Sequence, residues 1–464
     1  MIFTDDGNRN GKRKGYGKVI AIILAVLLLF SGIMLVMRGV NAKYATKAEQ
    51  TVKLIIHPTM PVLAEKGTWY RAETPKSDIA SVTIVTHDYI LTEDDYEEAF
   101  YADAFNKGTI KAYITKDADD KLHLILSGNG YNDSDAVYAN VDSSELFAGF
   151  TGAKTFTGMN NIDMTDALDI SSAFSGCANA ATISGTGAWN TAKVEDMSNV
   201  FAGCAKLTAA DVSGWSTAKA ETFENMFSDC ALVGTVNLSS FSFESAETTA
   251  NMFANCGALY SVTMPETPNT ENVTDMSGMF NGTTALTAVD VSGFDTTNLE
   301  SMNGMFKASG VQSLDLSGWN TENVTDMEEL FSGCADLASV KASQNFVPAD
   351  NDTDMFAGCA AIVGEHGTVY SAEHTDGEYA RIDTTNVPGY FKGATLKITF
   401  DANGGDGEKT EQYVLSGVED TIVKYDDEFT KAHYFFGGWN SKADGTGTAF
   451  DDEDEITVTE DTTL

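Results

Sequence analysis

From about residue 160 to residue 360 the chain alternates two rhythms of apolar residues. One is threefold. Val273, Met276, Met279, Phe280 and Thr283 are spaced 3, 3, 1 and 3; the stripe recurs as Val194, Met197, Val200, Phe201, Cys204 and as Val324, Met327, Leu330, Phe331, Cys334. That spacing puts all five residues on one face of an α-helix and predicts a short helix at each stripe. The other rhythm is twofold. AVDVSG (Ala288–Gly293) and SLDLSG (Ser313–Gly318) alternate apolar and polar residues up to a glycine, which predicts a short strand.

Both rhythms return with a fixed period. Phe174, Phe201, Phe227, Phe253, Phe280, Phe306, Phe331 and Phe356 form a ladder with steps of 27, 26, 26, 27, 26, 25 and 25 residues. A period of this length means repeated units, each burying its apolar face against its neighbours. One strand plus one helix per 25–27 residues predicts an α/β solenoid of leucine-rich-repeat type over residues 151–393, with the Phe ladder as its core. Solenoid ends must be covered, so residues 43–150 are expected to form a strand-rich cap, while residues 394–464 stand apart as a separate tail module.

Other residues keep phase with the ladder. Trp189, Trp215, Phe241, Phe294 and Trp319 each stand twelve before a ladder Phe, which makes them rung fillers. All six cysteines, Cys177, Cys204, Cys230, Cys256, Cys334 and Cys359, stand three after one, and Thr283 and Ser309 fill that slot elsewhere. If neighbouring repeats pack as helices, roughly 8–10 Å apart, a disulfide is out of reach, and the expectation is buried free thiols. Asp211, Asn237, Thr263, Asp290 and Asp315 lie between inward apolar residues and should face outward. DVSGW and DLSGW read first as Asp/Ser-capped turns leaving the strand, and the row is alternatively a candidate partner-binding surface.

Charge bears on partners. The 464 residues hold 29 Lys+Arg and 68 Asp+Glu, a net charge of −39, which argues against nucleic acid and anionic lipid as partners of the folded body. Residues 1–18 are basic and precede an uncharged run, Val19–Met37. Nineteen helical residues cover roughly 28 Å, enough to cross a membrane. The run is read either as an anchor at residues 19–37 behind a cytoplasmic tail or as the core of a signal peptide cleaved near Val40–Ala42. Both readings imply export.

WNTENVTDMEELFSGCADL (Trp319–Leu337) and its sister units resemble the BspA-type leucine-rich repeats of bacterial surface proteins, which show a W/F-N/D-T turn followed by V-x-x-M-x-x-M-F-x-x-C. The segment Asn106–Gly152 is similar to the lead-in of such arrays, and VPGYFKG (Val387–Gly393) to their close. FDANGG (Phe400–Gly405), FFGGWNSKADGTGT (Phe435–Thr448) and the final TEDTTL resemble the Listeria–Bacteroides repeat of internalin-like proteins, whose pattern runs a few strand residues further. The resemblance therefore implies a small β-rich module over residues 394–464 and a chain that stops inside its last strand. It also implies a cell-surface adhesin whose array meets an extracellular protein or glycan, with a stalk or spacer as the alternative.

Chemistry is not expected. The six histidines lack metal-ligand spacing, and no nucleophile elbow or phosphate-cradling loop is present. DADD (Asp117–Asp120) and DDEDE (Asp451–Glu455) read as solvated acidic loops, since neither carries the spacing of a calcium loop. No catalytic residue, metal or cofactor is assigned.

Overall fold

A computed structural model describes residues 62–464 except 86–88, 90, 105–108, 129–136, 408–409, 416–419, 423–428, 452 and 459–460. Every described residue belongs to one compact unit, Thr59–Leu464. The basic tail and the apolar run 19–37 lie outside the described residues. Among the described residues no helix is long and apolar enough to cross a membrane.

Four strands open the fold: β1 (Ile79–Val85), β2 (Glu98–Tyr101), β3 (Ile110–Lys116) and β4 (Leu122–Gly128). They are followed by β5 (Val137–Tyr138), β6 (Thr155–Thr157), β7 (Ile162–Asp163) and β8 (Thr182–Ile183). One six-stranded sheet runs β2-β3-β4-β1-β6-β8, so the N-terminal sheet continues directly into the first repeats, while β5 pairs with β7. Farther on, β9 (Thr235–Asn237) pairs in parallel with β10 (Ser261–Thr263). The strands β11 (Ser313–Leu316), β12 (Ser339–Ala342) and β13 (Phe391–Gly393) form a third parallel sheet. The twofold rhythm thus yields a strand at Ser313–Leu316, but Ala288–Gly293 remains irregular backbone.

The expected helices are absent, and the leucine-rich-repeat architecture with them. Among the described residues there is no α-helix, only brief 3-10 turns. The residue two before each ladder Phe is left-handed, at Ser172, Asn199, Asn225, Asn251, Gly278, Gly304, Glu329 and Asp354. So is the residue two after it, at Gly176, Gly203, Asp229, Asn255, Gly282, Ala308, Gly333 and Gly358. A right-handed helix cannot pass through a left-handed residue every fourth position.

The segment is instead a chain of tight turns whose amides alternate. Met279 N–H donates to Met276 O at 3.2 Å and Asn281 N–H to Gly278 O at 3.0 Å, closing local turns. Between them Phe280 N–H leaves the coil and donates to Met305 O at 2.8 Å. The same crossing bond runs from Phe174 to Val200, Phe201 to Met226, Phe253 to Met279 and Phe331 to Met355. Three-residue turns return a side chain to one face every third position, as a helix does, so the stripe of spacings fits either.

The coils therefore stack at hydrogen-bonded distance, about 4.8 Å, closer than packed helices. Ladder rings lie face to face with centroids 5.4 Å apart for Phe201–Phe227, 5.6 Å for Phe253–Phe280 and 5.6 Å for Phe331–Phe356. Phe147 adds a rung before the expected eight, stacked 5.3 Å from Phe174. One apolar core extends from Leu63 to Phe391. Ile398, Phe400, Val414, Trp439, Ile456 and Leu464 belong to a second.

Closer stacking removes the distance argument against disulfides, yet all six thiols are free and buried. Each donates to the carbonyl of a ladder Phe one coil back, as Cys334 does to Phe306 O at 2.8 Å and Cys204 to Phe174 O at 3.2 Å. Burial pushes the thiols of Cys177, Cys256 and Cys334 up to about 12, and those of Cys204, Cys230 and Cys359 upward as well. Thiolate is the reactive form. A maleimide or disulfide reagent near pH 8 should leave all six unlabelled in the native chain and label all six in denaturant; rapid native labelling would contradict this packing.

The tail strands β14 (Thr395–Phe400) and β15 (Thr410–Leu415) form an antiparallel pair. Of the remaining strands, β16 (Asp420–Thr421), β17 (Trp439–Asn440), β18 (Ala449–Phe450), β19 (Glu455–Ile456) and β20 (Thr462–Thr463), the last pairs with β14 in parallel.

Candidate interaction surface

All five residues of the predicted row are exposed. The structure does not bring them into one continuous ladder. Asn237 and Thr263 are register partners on β9 and β10, and Asp315 faces Lys341 across β11 and β12, forming an ion pair at 3.6 Å. Asp211 and Asp290 stand on irregular backbone.

Most of the row also caps turns. Asp211 Oδ1 accepts Ser213 Oγ–H at 2.7 Å, Asp290 Oδ1 accepts Ser292 Oγ–H at 2.7 Å, and Asn237 Oδ1 accepts Ser239 N–H at 2.9 Å. Asp315 Oδ1 accepts Ser317 N–H at 3.0 Å, and those turn bonds together with Lys341 hold its carboxyl below the usual range despite burial, which pulls the other way. In Asp211, Asp290 and Asp315 one carboxylate oxygen is committed to the turn, and in Asp315 the other pairs with Lys341. Such a group keeps a charge to present, but in a fixed position.

Tyr260 was not singled out by the sequence pattern, and it is the large residue of this face, 62 % exposed. It occupies the outward position that is Gly234 in the preceding coil, where an added Cβ would meet its ring at 2.9 Å. Leu232, on that same coil, is also exposed. An aromatic at an outward phase was the available signal.

Two further rows hold the coils in register. Thr296 Oγ1–H donates to Asn320 O at 2.8 Å while its oxygen accepts Asn320 N–H at 2.9 Å, and Thr191, Thr217, Thr270 and Thr321 bridge coils in the same way. This explains the Thr of the W/F-N/D-T turn. The second row stands five before each ladder Phe: Asp142, Asp169, Asp196, Thr222, Thr248, Asp275, Ser301, Asp326 and Asn351 are linked by successive parallel bridges. Three carboxylates are therefore stacked at its N-terminal end. Burial, with help from Asp196 and Asp142, raises the Asp169 carboxyl above its ordinary value even though Ser171 donates to it. Among the described residues no group of acids, His or Cys is arranged to hold a metal.

At the other end of that row Asn351 Nδ2–H donates to Asp326 Oδ1 at 2.9 Å, so an amide beside an acid replaces repulsion with a bond. Asp169→Asn keeps the oxygen that Ser171 caps. It should stabilise the chain at neutral pH by about 0.5 kcal/mol after allowance for solvent screening. An acid raised in the folded state helps folding only while protonated, below its unfolded value of about 3.9. The gain should thus vanish near pH 3, as urea titrations at the two pH values would read; a loss of stability at neutral pH would overturn it.

The fold and its surface define an array of stacked coils carrying short separate parallel sheets, followed by a small β module. Residues 141–264 and 261–366 match the family described as "Mycoplasma protein of unknown function, DUF285", and residues 397–464 match the Listeria-Bacteroides repeat domain. Repeat families of this kind are typical of bacterial surface proteins, and the two matches follow one another along the chain. No curated protein and no solved structure matches it.

Proposed function

We propose that the chain is an exported bacterial cell-surface protein, non-catalytic, whose coil array presents its outward strand face to an extracellular protein or glycan. The observation that supports this most is Tyr260, 62 % exposed beside the exposed Leu232 of the preceding coil. Exposed tyrosines of this kind anchor partners at interfaces. The acidic flank of Asp211, Asp290 and Asp315 would steer a basic patch of the partner toward it. The apolar run 19–37 would supply export, as an anchor or as a signal peptide. A second reading, a stalk that only spaces another domain, draws support from the same carboxylates, because each caps its own turn.

Binding of the purified chain to matrix proteins, mucins and cultured cells tests the proposal. Tyr260→Ala and the combined Asp211→Asn, Asp290→Asn, Asp315→Asn variant keep the fold, since the ring is exposed and the amides retain the capping oxygen. Loss of binding in either variant supports the array as an adhesive face. Binding that neither variant alters, or no binding at all, would favour the stalk.

A further inference from the structure

The surface around Tyr260 is uncharged, in a chain of net charge −39. The outward residues of β9 and β10 are Thr235, Asn237, Ser261 and Thr263, all exposed. The row seven after the ladder Phe reads Thr208, Gly234, Tyr260 and Thr287 through four successive coils. Both the coil before Tyr260 and the coil after it are described, so its exposure is a property of the complete stack.

The ring is held in place. Tyr260 N–H donates to Gly234 O at 2.9 Å, which sets the two residues side by side in neighbouring coils. A Cβ at position 234 would stand 2.9 Å from the ring's Cε1 and 3.5 Å from its Cδ1, so the ring rests on the bare backbone of Gly234. A side chain already settled in this way loses little freedom when a ligand arrives. Leu232, 51 % exposed and two residues before Gly234, widens the apolar ground. The polar groups nearby are uncommitted. Among the described residues no hydrogen bond within the chain engages the hydroxyls of Thr235, Ser261, Thr263 or Thr287, and Asn237 spends only its Oδ1, on Ser239 N–H.

This lining selects a ligand class. A purely apolar ligand would cover the hydroxyls and the amide without satisfying them. An anionic glycan would approach against the field of the whole chain. A cationic side chain over the ring would want a carboxylate beside it, but Asp211 and Asp290 belong to other coils than β9 and β10. A neutral sugar meets both halves, since its C–H face packs on the ring and its hydroxyls exchange hydrogen bonds with hydroxyls and an amide. We propose that the adhesive face of the array binds neutral sugar units of an extracellular glycan, with Tyr260 as the stacking platform and Asn237, Ser261 and Thr263 engaging sugar hydroxyls. The inference rests on the adhesive reading above and names its ligand.

Calorimetric titration of the full chain with short oligomers of glucose, N-acetylglucosamine, galactose and mannose tests it, beside the binding to matrix proteins and cells. Saturable binding of at least one oligomer is expected. Tyr260→Ala should weaken it roughly tenfold or more with the melting temperature nearly unchanged, because most of the ring is in water. Tyr260→Phe should retain most of it. Gly234→Ala keeps the ring but lifts it from its seat, and should weaken binding several-fold; no left-handed backbone at Gly234 opposes that substitution. The proposal is overturned if no oligomer binds, or if Tyr260→Ala and Gly234→Ala bind as tightly as the parent. Should Tyr260→Ala abolish binding to a matrix protein while no oligomer binds, the array remains adhesive and its partner is a protein surface. Absence of both kinds of binding would remove the adhesive reading as well.

Discussion

Phe280→Ala should lower the unfolding free energy by about 4 kcal/mol, the size expected for deleting a fully buried ring. Phe280 has no exposed surface and lies between Phe253 and Phe306, each 5.6 Å away with planes tilted only 12° and 10°. The coils on either side are held by backbone bonds, Phe253 N–H to Met279 O and Phe280 N–H to Met305 O. They cannot slide together to fill the space, so the cavity persists and its full cost is felt. Because each coil touches only its neighbours, a fault in mid-array also weakens the coupling between its halves. Guanidinium unfolding should show a lower midpoint and a broader or two-step transition. A loss under about 1 kcal/mol would mean that the ring stack is not what holds the coils together.

Asp383→Ala should cost about 3 kcal/mol near pH 7, through buried donors left without an acceptor. Asp383 is 1 % exposed near the end of the array. Its Oδ2 accepts the amides of His366 at 2.7 Å and Thr368 at 3.1 Å, and its Oδ1 accepts the Thr368 hydroxyl at 2.7 Å and the Gly389 amide at 3.3 Å. One carboxylate thus gathers the Gly364–Thr368 turn and the VPGYF segment that leads into β13. Burial alone would raise its pKa, but the bonds from Thr368, His366 and Gly389 outweigh burial and hold it below the ordinary value.

The sign of the pH dependence follows. An acid lowered in the folded state contributes its stability above the unfolded value, about 3.9, and loses it as the pH falls through the folded value. The gap between parent and Asp383→Ala should therefore be widest near neutrality and should narrow near pH 3. Asp169 behaves in the opposite sense, so the two sites are distinguishable in one pair of titrations. A gap that does not change with pH would show that Asp383 acts by packing alone.

Much of this was legible beforehand, and the error has a definite source. The spacing of Val273, Met276, Met279 and Phe280 predicts a helical face, but a chain of three-residue turns repeats with nearly the same period. The sequence did carry the distinguishing mark. Asn199, Asn225, Asn251, Gly278 and Gly304 stand two before the ladder Phe, and asparagine and glycine are the residues that tolerate a left-handed backbone. Five such residues in one phase contradict a helix more strongly than the apolar stripe supports one.

The surface was less legible than the core. Outward exposure of Asp211 and its row and the Asp/Ser caps could both be deduced from the sequence, but not that the row would be broken by irregular backbone at Asp211 and Asp290.

The sequence by itself determined the period, the ladder of phenylalanines, the small slot filled by cysteine and the alternation of inward and outward residues, since each depends only on spacing along the chain. Tertiary structure alone decided where the backbone amides go. A turn satisfies every second N–H within its own coil and leaves the others orphaned until a neighbouring carbonyl lies within reach. Only when the next coil stacks does Phe280 N–H find Met305 O, and that pairing, rather than any local preference, makes the repeat a stacked coil and not a helix.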